Sequence, residues 1–495
     1  MSTVSGAPAG PALATPRAGV GRTLGRGSVL AVGLALGLLL LGMLAVPPPP
    51  FTPLAGRTLG ILGFAVVLWA TGTLDATLVA VVTMVLWPLA GVISFDESVR
   101  GFGNPVVWLL IGIMLISAAF AATGLDQRIA YRLLYLAHGR TRPTVFWTII
   151  TLLVLTFLIP TGIGRAGVML PIAEGMMRAV RLERGSNVGK AIFLSAALVS
   201  LQSGGALMTG SAATLYAAGV FEELAGHRWT YASWLVVALP SVFLVSLLVC
   251  PLLLRLFPPE LDVLEGGREY LRREMAAQGP MTAAEWKVAV LFGLMVGGWA
   301  TAAWHGLENE QICLLAMLPM FLPPWPALGF QEGLRRVSWS TVVLFGASIS
   351  LAVALDRSQV TGALVGRVEW LAMREWPPIL IGLVTMVVVA GLRLGFPNTI
   401  GMIATVLPAS IVAATTLGLN PVWLGLLAIH SSQILIVPVQ SPTSMTLYSA
   451  GYFDVGEMVR SGLVMAAILI VVTHSPELAT LFPRRFEMTG EGSLV

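Results

Sequence analysis

The chain contains the same interrupted pattern twice, and this duplication limits the folds that it can adopt. Residues 160–171 and 397–408 both begin Pro-x-x-Ile-Gly and both end in Leu-Pro at the same spacing. A second pair follows, because Thr214–Phe221 returns as Thr446–Phe453 with six of its eight residues unchanged in kind and order. A duplicated apolar chain with Gly and Pro breaks at matching points is typical of secondary transporters.

The composition places most of the chain in a lipid bilayer. Apolar residues make up 56% of the chain and charged residues only 11%, whereas a soluble domain carries about 25% charged residues. Stretches such as 29–46 and 231–257 approach or exceed the roughly 20 residues that a helix needs to cross hydrocarbon. The net charge of +4 fits Arg and Lys residues that flank membrane helices and does not indicate a nucleic-acid partner. Both cysteines, Cys250 and Cys313, lie in apolar stretches, so neither a disulfide nor a zinc site is predicted.

The order of apolar and polar stretches predicts two membrane halves. The N-terminus carries three Arg residues and no acidic residue before Asp75, which favours a cytoplasmic N-terminus and a first membrane helix over a signal peptide. The predicted parts are an N-terminal tail at 1–28, a first half at 29–257, a polar connector at 258–284, a second half at 285–482 and a C-terminal tail at 483–495.

The charged loops raise a question of topology. Loops 125–143 and 178–190 are both basic, so both are predicted to be cytoplasmic. They cannot both be cytoplasmic if one full helix separates them, but a hairpin or a helix broken at 160–167 would resolve the conflict. Segments 104–124 and 338–358 are candidate re-entrant hairpins. The predicted fold is an all-α polytopic membrane protein with two inverted-topology repeats, broken helices and re-entrant hairpins.

Four predicted breaks, two in each half, are candidates for the functional site. Broken helices persist in a membrane only where they line protein or water. Their half-helix N-termini carry partial positive charge, which suits an anion, and their freed carbonyl groups can bind Na⁺ or another cation. Each break carries small hydroxyl or amide residues: Thr161; Ser203, Thr209, Ser211 and Thr214; Asn398 and Thr399; Ser441, Thr443 and Ser444.

The motifs Pro397-Asn398-Thr399 and Pro438–Ser444 resemble those of the divalent anion:sodium symporter family, which carries dicarboxylates, citrate and sulfate. The resemblance implies an elevator-type homodimer in which a unit of about 104–223 and 338–453 moves past a fixed scaffold. It also implies Na⁺ as the coupling ion and no other cofactor. The predicted substrate-binding residues are Thr161, Gly162, Arg165, Ser211, Thr214, Asn398, Thr399, Ser441, Thr443 and Ser444. Those predicted to bind the cation or replace it are Gly204, Arg393, Asn398 and Gln440.

The first half departs from the family pattern. Pro160-Thr161-Gly162 stands where Ser-Asn-Thr is expected, and Gly210-Ser211-Ala212 stands where a Pro-Pro-Asn tip is expected. In the second half, Ser444 replaces an expected Asn. These changes weaken the prediction of a sodium site in the first half.

Two arginines add charge to the breaks. Arg165 and Arg393 are not copies of each other, because their equivalents at the 237-residue offset are Met402 and Thr156. A cation at membrane depth costs about 2.5–3.5 kcal/mol even on the lenient scale. Three explanations remain open: the guanidinium binds the anion as a fork, it fills the space of a Na⁺ ion, or it pairs structurally with a carbonyl group or an acid.

The sequence therefore predicts a secondary active transporter of small anions in the cytoplasmic membrane, for dicarboxylate, tricarboxylate or sulfate-like solutes, with doubtful sodium coupling. The alternatives are a proton-coupled or exchange carrier of another oxyanion, and an anion channel. An enzyme is not predicted, because neither His-Glu-x-x-His nor Gly-x-Ser-x-Gly occurs. His430, Gln202 and Gln433 are candidate polar lining.

Overall fold

A computed structural model describes residues 26–49, 51–358, 360, 376–396 and 398–473. Most of the predicted N-terminal tail, the entire predicted C-terminal tail and Pro397 lie outside these ranges.

Every regular element in the described ranges is helical, apart from one isolated bridge between Arg140 and Val263, which confirms the all-α prediction. In the first half and the connector the helices are α1 (Arg26–Leu44), α2 (Pro53–Thr71), α3 (Ala76–Leu89), α4 (Phe95–Val99), α5 (Pro105–Thr123), α6 (Leu125–Tyr135), α7 (Thr141–Leu158), α8 (Gly162–Val180), α9 (Asn187–Gln202), α10 (Ala212–Ala225), α11 (Tyr231–Leu256) and α12 (Gly267–Ala277).

The second half has a similar succession of helices. They are α13 (Ala283–Ala300), α14 (Ala302–His305), α15 (Asn309–Phe321), α16 (Phe330–Arg336), α17 (Trp339–Arg357), α18 (Pro378–Leu392), α19 (Thr399–Leu417), α20 (Pro421–Ser432), α21 (Pro442–Tyr448) and α22 (Val455–Thr473). Short 3₁₀ turns lie at Arg100–Gly103, Ser203–Ala206, Met208–Gly210, Arg393–Gly395 and Pro438–Gln440.

Nine helices in the described part of the chain are long and apolar enough to cross a membrane. They are α1, α2, α5, α7, α11, α13, α18, α19 and α22. Helix α19 begins within the second copy of the duplicated motif, residues 397–408. Helices α16 and α17 are bent by 63° relative to each other and together could supply one more span.

The predicted hairpins at 104–124 and 338–358 are wrong in position. Residues 105–123 form one unbroken helix, α5, which begins at the Asn104 N-cap and ends at Gly124, whose φ of 76° is easily adopted by glycine. Residues 339–357 likewise form the unbroken helix α17. Neither segment contains an interruption at which the chain could turn back.

The re-entrant hairpin of the first half is formed instead by α7 and α8. At the start of α7, the Thr141 amide donates to the Asp262 carbonyl at 3.0 Å. At the end of α8, Ala179 lies against Gly266, so closely that a Cβ on Gly266 would be 2.9 Å from the Ala179 carbonyl oxygen. Both outer ends of the hairpin thus contact the same stretch of the connector. Loops 125–143 and 178–190 therefore lie on one face of the molecule. Both can then be on the same side of the membrane, as their basic residues predict.

The connector is anchored to the first half. Helix α12 packs against α6 and α8, and the Tyr270 phenol fits over Gly175 of α8, where a Cβ would be only 2.1 Å from the phenol oxygen. Arg128 of α6 forms a buried ion pair with Glu285 of α13, with Nε and Oε1 2.6 Å apart. These contacts hold the hairpin against the connector and join α6 to the first helix of the second half.

Candidate functional site

The four predicted breaks are all present as interruptions between helices. The first separates α7 from α8 at residues 159–161, and the second separates α9 from α10 at 203–211. The third runs from 393 to 398 and the fourth from 433 to 441. A helix resumes after each interruption, so four helix N-termini are available.

Contacts between named atoms connect the four interruptions. Arg165 joins the first to the second through the Gly210 carbonyl, at 2.9 Å. Arg393 joins the third to the fourth through the Gln440 carbonyl, at 2.7 Å. The two halves meet where Gly162 faces Thr443, since a Cβ on Gly162 would be 2.8 Å from the Thr443 hydroxyl oxygen. The interruptions therefore form one cluster.

Polar residues at the interruptions cap the helices that follow. Thr161 accepts from the Gly164 amide at 3.2 Å, and Asn398 accepts from the Ile400 amide at 2.8 Å. Ser211 caps α10 and Ser441 caps α21 in the same manner. Each cap satisfies one amide at its helix end and leaves others of the first turn without an intrahelical partner. Such amides attract anions.

Accessible and buried polar residues divide the predicted site into two groups. Thr161, Ser211, Asn398 and Thr399 are partly exposed, so their polar groups can meet a solute. The buried polar residues form hydrogen bonds with other groups of the protein instead.

Thr214 and Ser444 make the same hydrogen bonds in the two halves. The Thr214 hydroxyl lies 2.9 Å from the Met208 carbonyl oxygen, and the Ser444 hydroxyl donates to the Pro438 carbonyl at 2.7 Å. Both residues are completely buried. Their hydroxyl groups hold the 3₁₀ turn against the next helix, which makes them positioning residues.

Arg165 is completely buried among backbone carbonyl groups. Its Nε and Nη2 donate to the Ser200 carbonyl at 3.1 and 2.7 Å. Its Nη1 donates to the Ile159 and Gly210 carbonyls at 2.6 and 2.9 Å. Four of its five N–H groups are occupied, so no pair of adjacent donors remains for an anion.

Arg393 is also completely buried and also binds carbonyl groups. Its Nη1 donates to the Phe396 carbonyl, and its Nη2 donates to the Gln440 carbonyl at 2.7 Å and to the Thr399 hydroxyl oxygen at 3.3 Å. The Gln440 amide donates in return to the Arg393 carbonyl at 3.1 Å. Since both Nη2 donors are occupied, this guanidinium likewise presents no free fork.

The two guanidinium groups bind repeat-equivalent carbonyls. Ile159 and Phe396 both immediately precede the Pro of Pro-x-x-Ile-Gly, and their φ and ψ angles are similar, at −123° and 106° against −109° and 115°. Gly210 and Gln440 both end a 3₁₀ turn and immediately precede an N-cap serine. We call each such set of carbonyls a carbonyl cage: Ile159, Ser200 and Gly210 in the first half, Phe396 and Gln440 in the second.

The carbonyl oxygens of both cages accept hydrogen bonds from a guanidinium group, although the Arg393 Nε is buried without a partner. Carbonyls of interrupted helices are the ligands that a Na⁺ ion would use, yet here they accept from Arg165 and Arg393. Gly204, predicted as a cation ligand, lies against the guanidinium, because a Cβ there would be 3.1 Å from Arg165 Nη2. The described residues also contain no group of three His, Cys, Asp or Glu side chains that could hold a metal ion.

Neither His430 nor Gln433 is hydrogen-bonded to the carbonyl groups of the cages. His430 Nδ1 lies 2.8 Å from the Leu426 carbonyl oxygen, which can only accept, so Nδ1 carries the proton and Nε2 is an unpartnered acceptor. A cavity of about 20 Å³, lined by His430, Ser241 and Thr473 among others, has room for one water molecule. Both amide atoms of Gln433 are buried without a partner, whereas Gln202 accepts from Ser246 at 2.7 Å.

The residues that sequence reasoning missed contribute backbone groups. Ile159, Ser200, Gly210 and Phe396 supply carbonyl oxygens to the guanidiniums. Every residue has a carbonyl group, so residue type gives no signal for this role. The repeat itself offered one clue, because Ile159 and Phe396 stand at the same place before the duplicated motif.

The sequence profile of the sodium:sulfate symporter transmembrane region matches residues 29–476. A membrane protein of Cupriavidus necator is 29% identical over 455 residues, which cover 87% of this chain and 88% of that protein. A sodium-dependent dicarboxylate transporter of Staphylococcus saprophyticus, SdcS, is 22% identical over 89% of each chain.

A solved structure shares the fold. The YdaH transporter of Alcanivorax borkumensis superposes with a TM-score of 0.56 over 92% of this chain and 98% of its own, at 15% identity. At this identity the likeness supports the helical architecture alone.

Proposed function

The chain belongs to the sodium:sulfate symporter transmembrane family, a family of multi-pass anion transporters and not of enzymes, and we propose that it carries a small anion of the dicarboxylate, tricarboxylate or sulfate-like class. The observation that carries this proposal is the single cluster of four helix interruptions, which holds two buried guanidinium groups. Sodium coupling is not part of the proposal, because carbonyl groups that could bind the ion accept hydrogen bonds from these arginines instead.

Charge and hydrogen-bond donors support an anion as the solute. Neither Arg165 nor Arg393 forms an ion pair with an acidic side chain in the described part of the chain. Their positive charges therefore add to the partial charges at the N-termini of α8, α10, α19 and α21. Partly exposed Thr161 and Asn398 offer further polar contacts.

The interrupted helices are also the part of the protein that we propose to move during transport. In this proposal the helices around the interruptions move as one unit past the remaining helices, in a homodimer within the cytoplasmic membrane. The N-terminus and the connector are on the cytoplasmic side, where the basic loops 125–143 and 178–190 also lie.

Reconstitution of the purified chain into liposomes tests the proposal. Labelled succinate, citrate and sulfate are offered to vesicles that contain the same unlabelled anion, in sodium chloride or in choline chloride. We expect time-dependent uptake of at least one anion above protein-free vesicles. Absence of uptake and exchange for every anion, in both salts and at acidic and neutral pH, would reject a carrier of this class.

An exchange carrier is favoured over a channel by the same charges. A site that holds two fixed cations is stable in the membrane when an anion occupies it, and a carrier of this kind shows accelerated exchange when unlabelled anion is present on the far side. A channel shows no such acceleration, so counterflow separates the two.

A further inference from the structure

The two guanidinium groups reach equivalent places from different positions in the chain. Arg165 follows the first interruption and lies in the first turn of α8, whereas Arg393 precedes the third interruption. Their repeat equivalents, Met402 and Thr156, carry no charge. Duplication of one ancestral arginine therefore does not explain the pair. Each half places an arginine from a different sequence position against equivalent carbonyl groups.

Among the described residues, the hydrogen-bond partners of these cations are neutral dipoles. Each guanidinium is completely buried, and its partners are carbonyl oxygens plus the Thr399 hydroxyl. Oxygen dipoles that converge at the break of a membrane helix are the ligands of a monovalent cation. The relatives include a transporter that is named sodium-dependent. In this chain, by contrast, carbonyl oxygens at both places accept hydrogen bonds from a guanidinium group, and this does not fit a bound Na⁺ ion.

We infer that Arg165 and Arg393 are built-in counter-cations, each filling a latent monovalent-cation site, so that anion transport by this chain needs no Na⁺. This inference rests on the proposed function and adds its ion requirement. The guanidinium supplies the positive charge that a bound ion would supply, but it is covalently attached and cannot dissociate during transport. Removing the side chain exposes carbonyl oxygens that a small cation can then bind.

The experiment compares Arg393→Ala and Arg165→Ala with the unaltered chain in liposomes. Anion exchange is measured in choline chloride, sodium chloride and a low concentration of guanidinium chloride at one ionic strength. The unaltered chain is expected to exchange at equal rates in choline and sodium. Each alanine variant is expected to lose at least about tenfold of its rate in choline, equivalent to about 1.4 kcal/mol, and to regain rate with sodium or guanidinium.

Arg57→Ala is the matched control. Its guanidinium also donates to a carbonyl group, that of Ala90 at 3.0 Å, but it lies at the start of α2 and outside the four interruptions. This variant should exchange at the rate of the unaltered chain in every salt. Arg393→Lys, which keeps a positive charge next to the Gln440 carbonyl, should retain exchange in choline.

Thermal melting of the same proteins without any anion gives a second readout. A ligand that binds the folded state raises its melting temperature, so sodium should stabilise the alanine variants relative to choline and leave the unaltered chain unchanged. This measurement tests the cages even if no tested anion is carried, which separates failure of this inference from failure of the proposed function.

Three results would overturn the inference. The first is a loss of exchange by the unaltered chain when choline replaces sodium. The second is full exchange by both alanine variants in choline. The third is a folded alanine variant that neither sodium nor guanidinium restores or stabilises, since that outcome assigns the guanidinium a direct role on the anion.

Discussion

At the residue scale, the partners of an arginine decide its role. Arg128 meets the Glu285 carboxylate and the carbonyls of Gln278 and Gly279, so its charge is neutralised locally. Arg165 is equally buried but meets carbonyl groups alone. Carbonyl partners are common to two of the three explanations that the sequence left open, structural pairing and replacement of a Na⁺ ion, and the second is the one proposed above. Either way, no acidic side chain in the described part of the chain neutralises Arg165.

Gly162 is a point of close contact between the two halves within the cluster of interruptions, so this position is sensitive to the size of its side chain. A Cβ there would be 2.8 Å from the Thr443 hydroxyl oxygen and 3.1 Å from the Ser200 carbonyl oxygen. We expect Gly162→Ala to push α21 away and raise the KM for the carried anion several-fold. Adding Thr443→Ala should recover part of this loss, because neighbouring substitutions couple.

Gly167→Ala in the same helix is the control for Gly162→Ala. No atom lies within 4 Å of a Cβ built on Gly167, so its uptake kinetics should match those of the unaltered chain. Equal KM values for Gly162→Ala and Gly167→Ala would show that the contact with Thr443 does not shape the anion site.

Asp126 of α6, outside the candidate spans, should make stability depend on pH. Burial raises the pKa of this carboxyl group from 3.8 to about 6. The folded state then holds a proton that the unfolded state has lost, so stability falls as the pH rises from about 4 to about 6, by up to roughly 3 kcal/mol. Asp126→Asn should therefore melt higher than the unaltered chain at pH 8 and at nearly the same temperature at pH 4. A melting difference that is the same at both pH values would exclude this titration.

At the scale of elements, short-range signals shaped the helix ends and long-range contacts shaped their arrangement. The Thr161 and Asn398 caps act within three residues, so the interruptions could be predicted. The hairpin α7–α8 instead depends on contacts of both its outer ends with residues 262–266 of the connector. The basic loops suggested such a turn, but charge alone could not choose between segments.

The ion pair between α6 and α13 should carry measurable stability. Both side chains are at most 7% exposed, and removing one partner of a buried pair leaves an unpaired charge at a cost of about 3–5 kcal/mol. We expect Arg128→Ala to lower the melting temperature clearly. Glu174→Gln, which breaks the exposed pair with Arg178, should change stability by less than about 1 kcal/mol. Similar melting temperatures for these two variants would argue against a role of the buried pair in joining the halves.

At the scale of the whole molecule, the proposed anion transport implies that the charge of the site controls which states cross the membrane. An empty site carries two guanidinium charges, and moving such charges through a region of low dielectric constant is costly. A bound dianion neutralises them. The loaded site should therefore move much more readily than the empty one.

This charge balance predicts exchange in preference to net flux. Labelled dianion should enter vesicles that contain unlabelled dianion at least about tenfold faster than vesicles that contain none, a difference of about 1.4 kcal/mol in barrier. Because the loaded site is neutral, clamping the membrane potential at different values should leave the exchange rate unchanged. Equal entry into empty and loaded vesicles would contradict this mode.

The sequence by itself determined the membrane class, the duplication, the four interruptions and the polar residues that lie at them. These features arise from composition and from interactions between residues only a few positions apart, which a single sequence displays directly. The tertiary structure alone decided where the hairpin lies and which groups the arginines bind. Arg165 reaches the Ser200 carbonyl 35 residues away, and Arg393 reaches the Gln440 carbonyl 47 residues away. Carbonyl groups are chemically alike at every position, so only the folded chain can select the few that surround a buried charge.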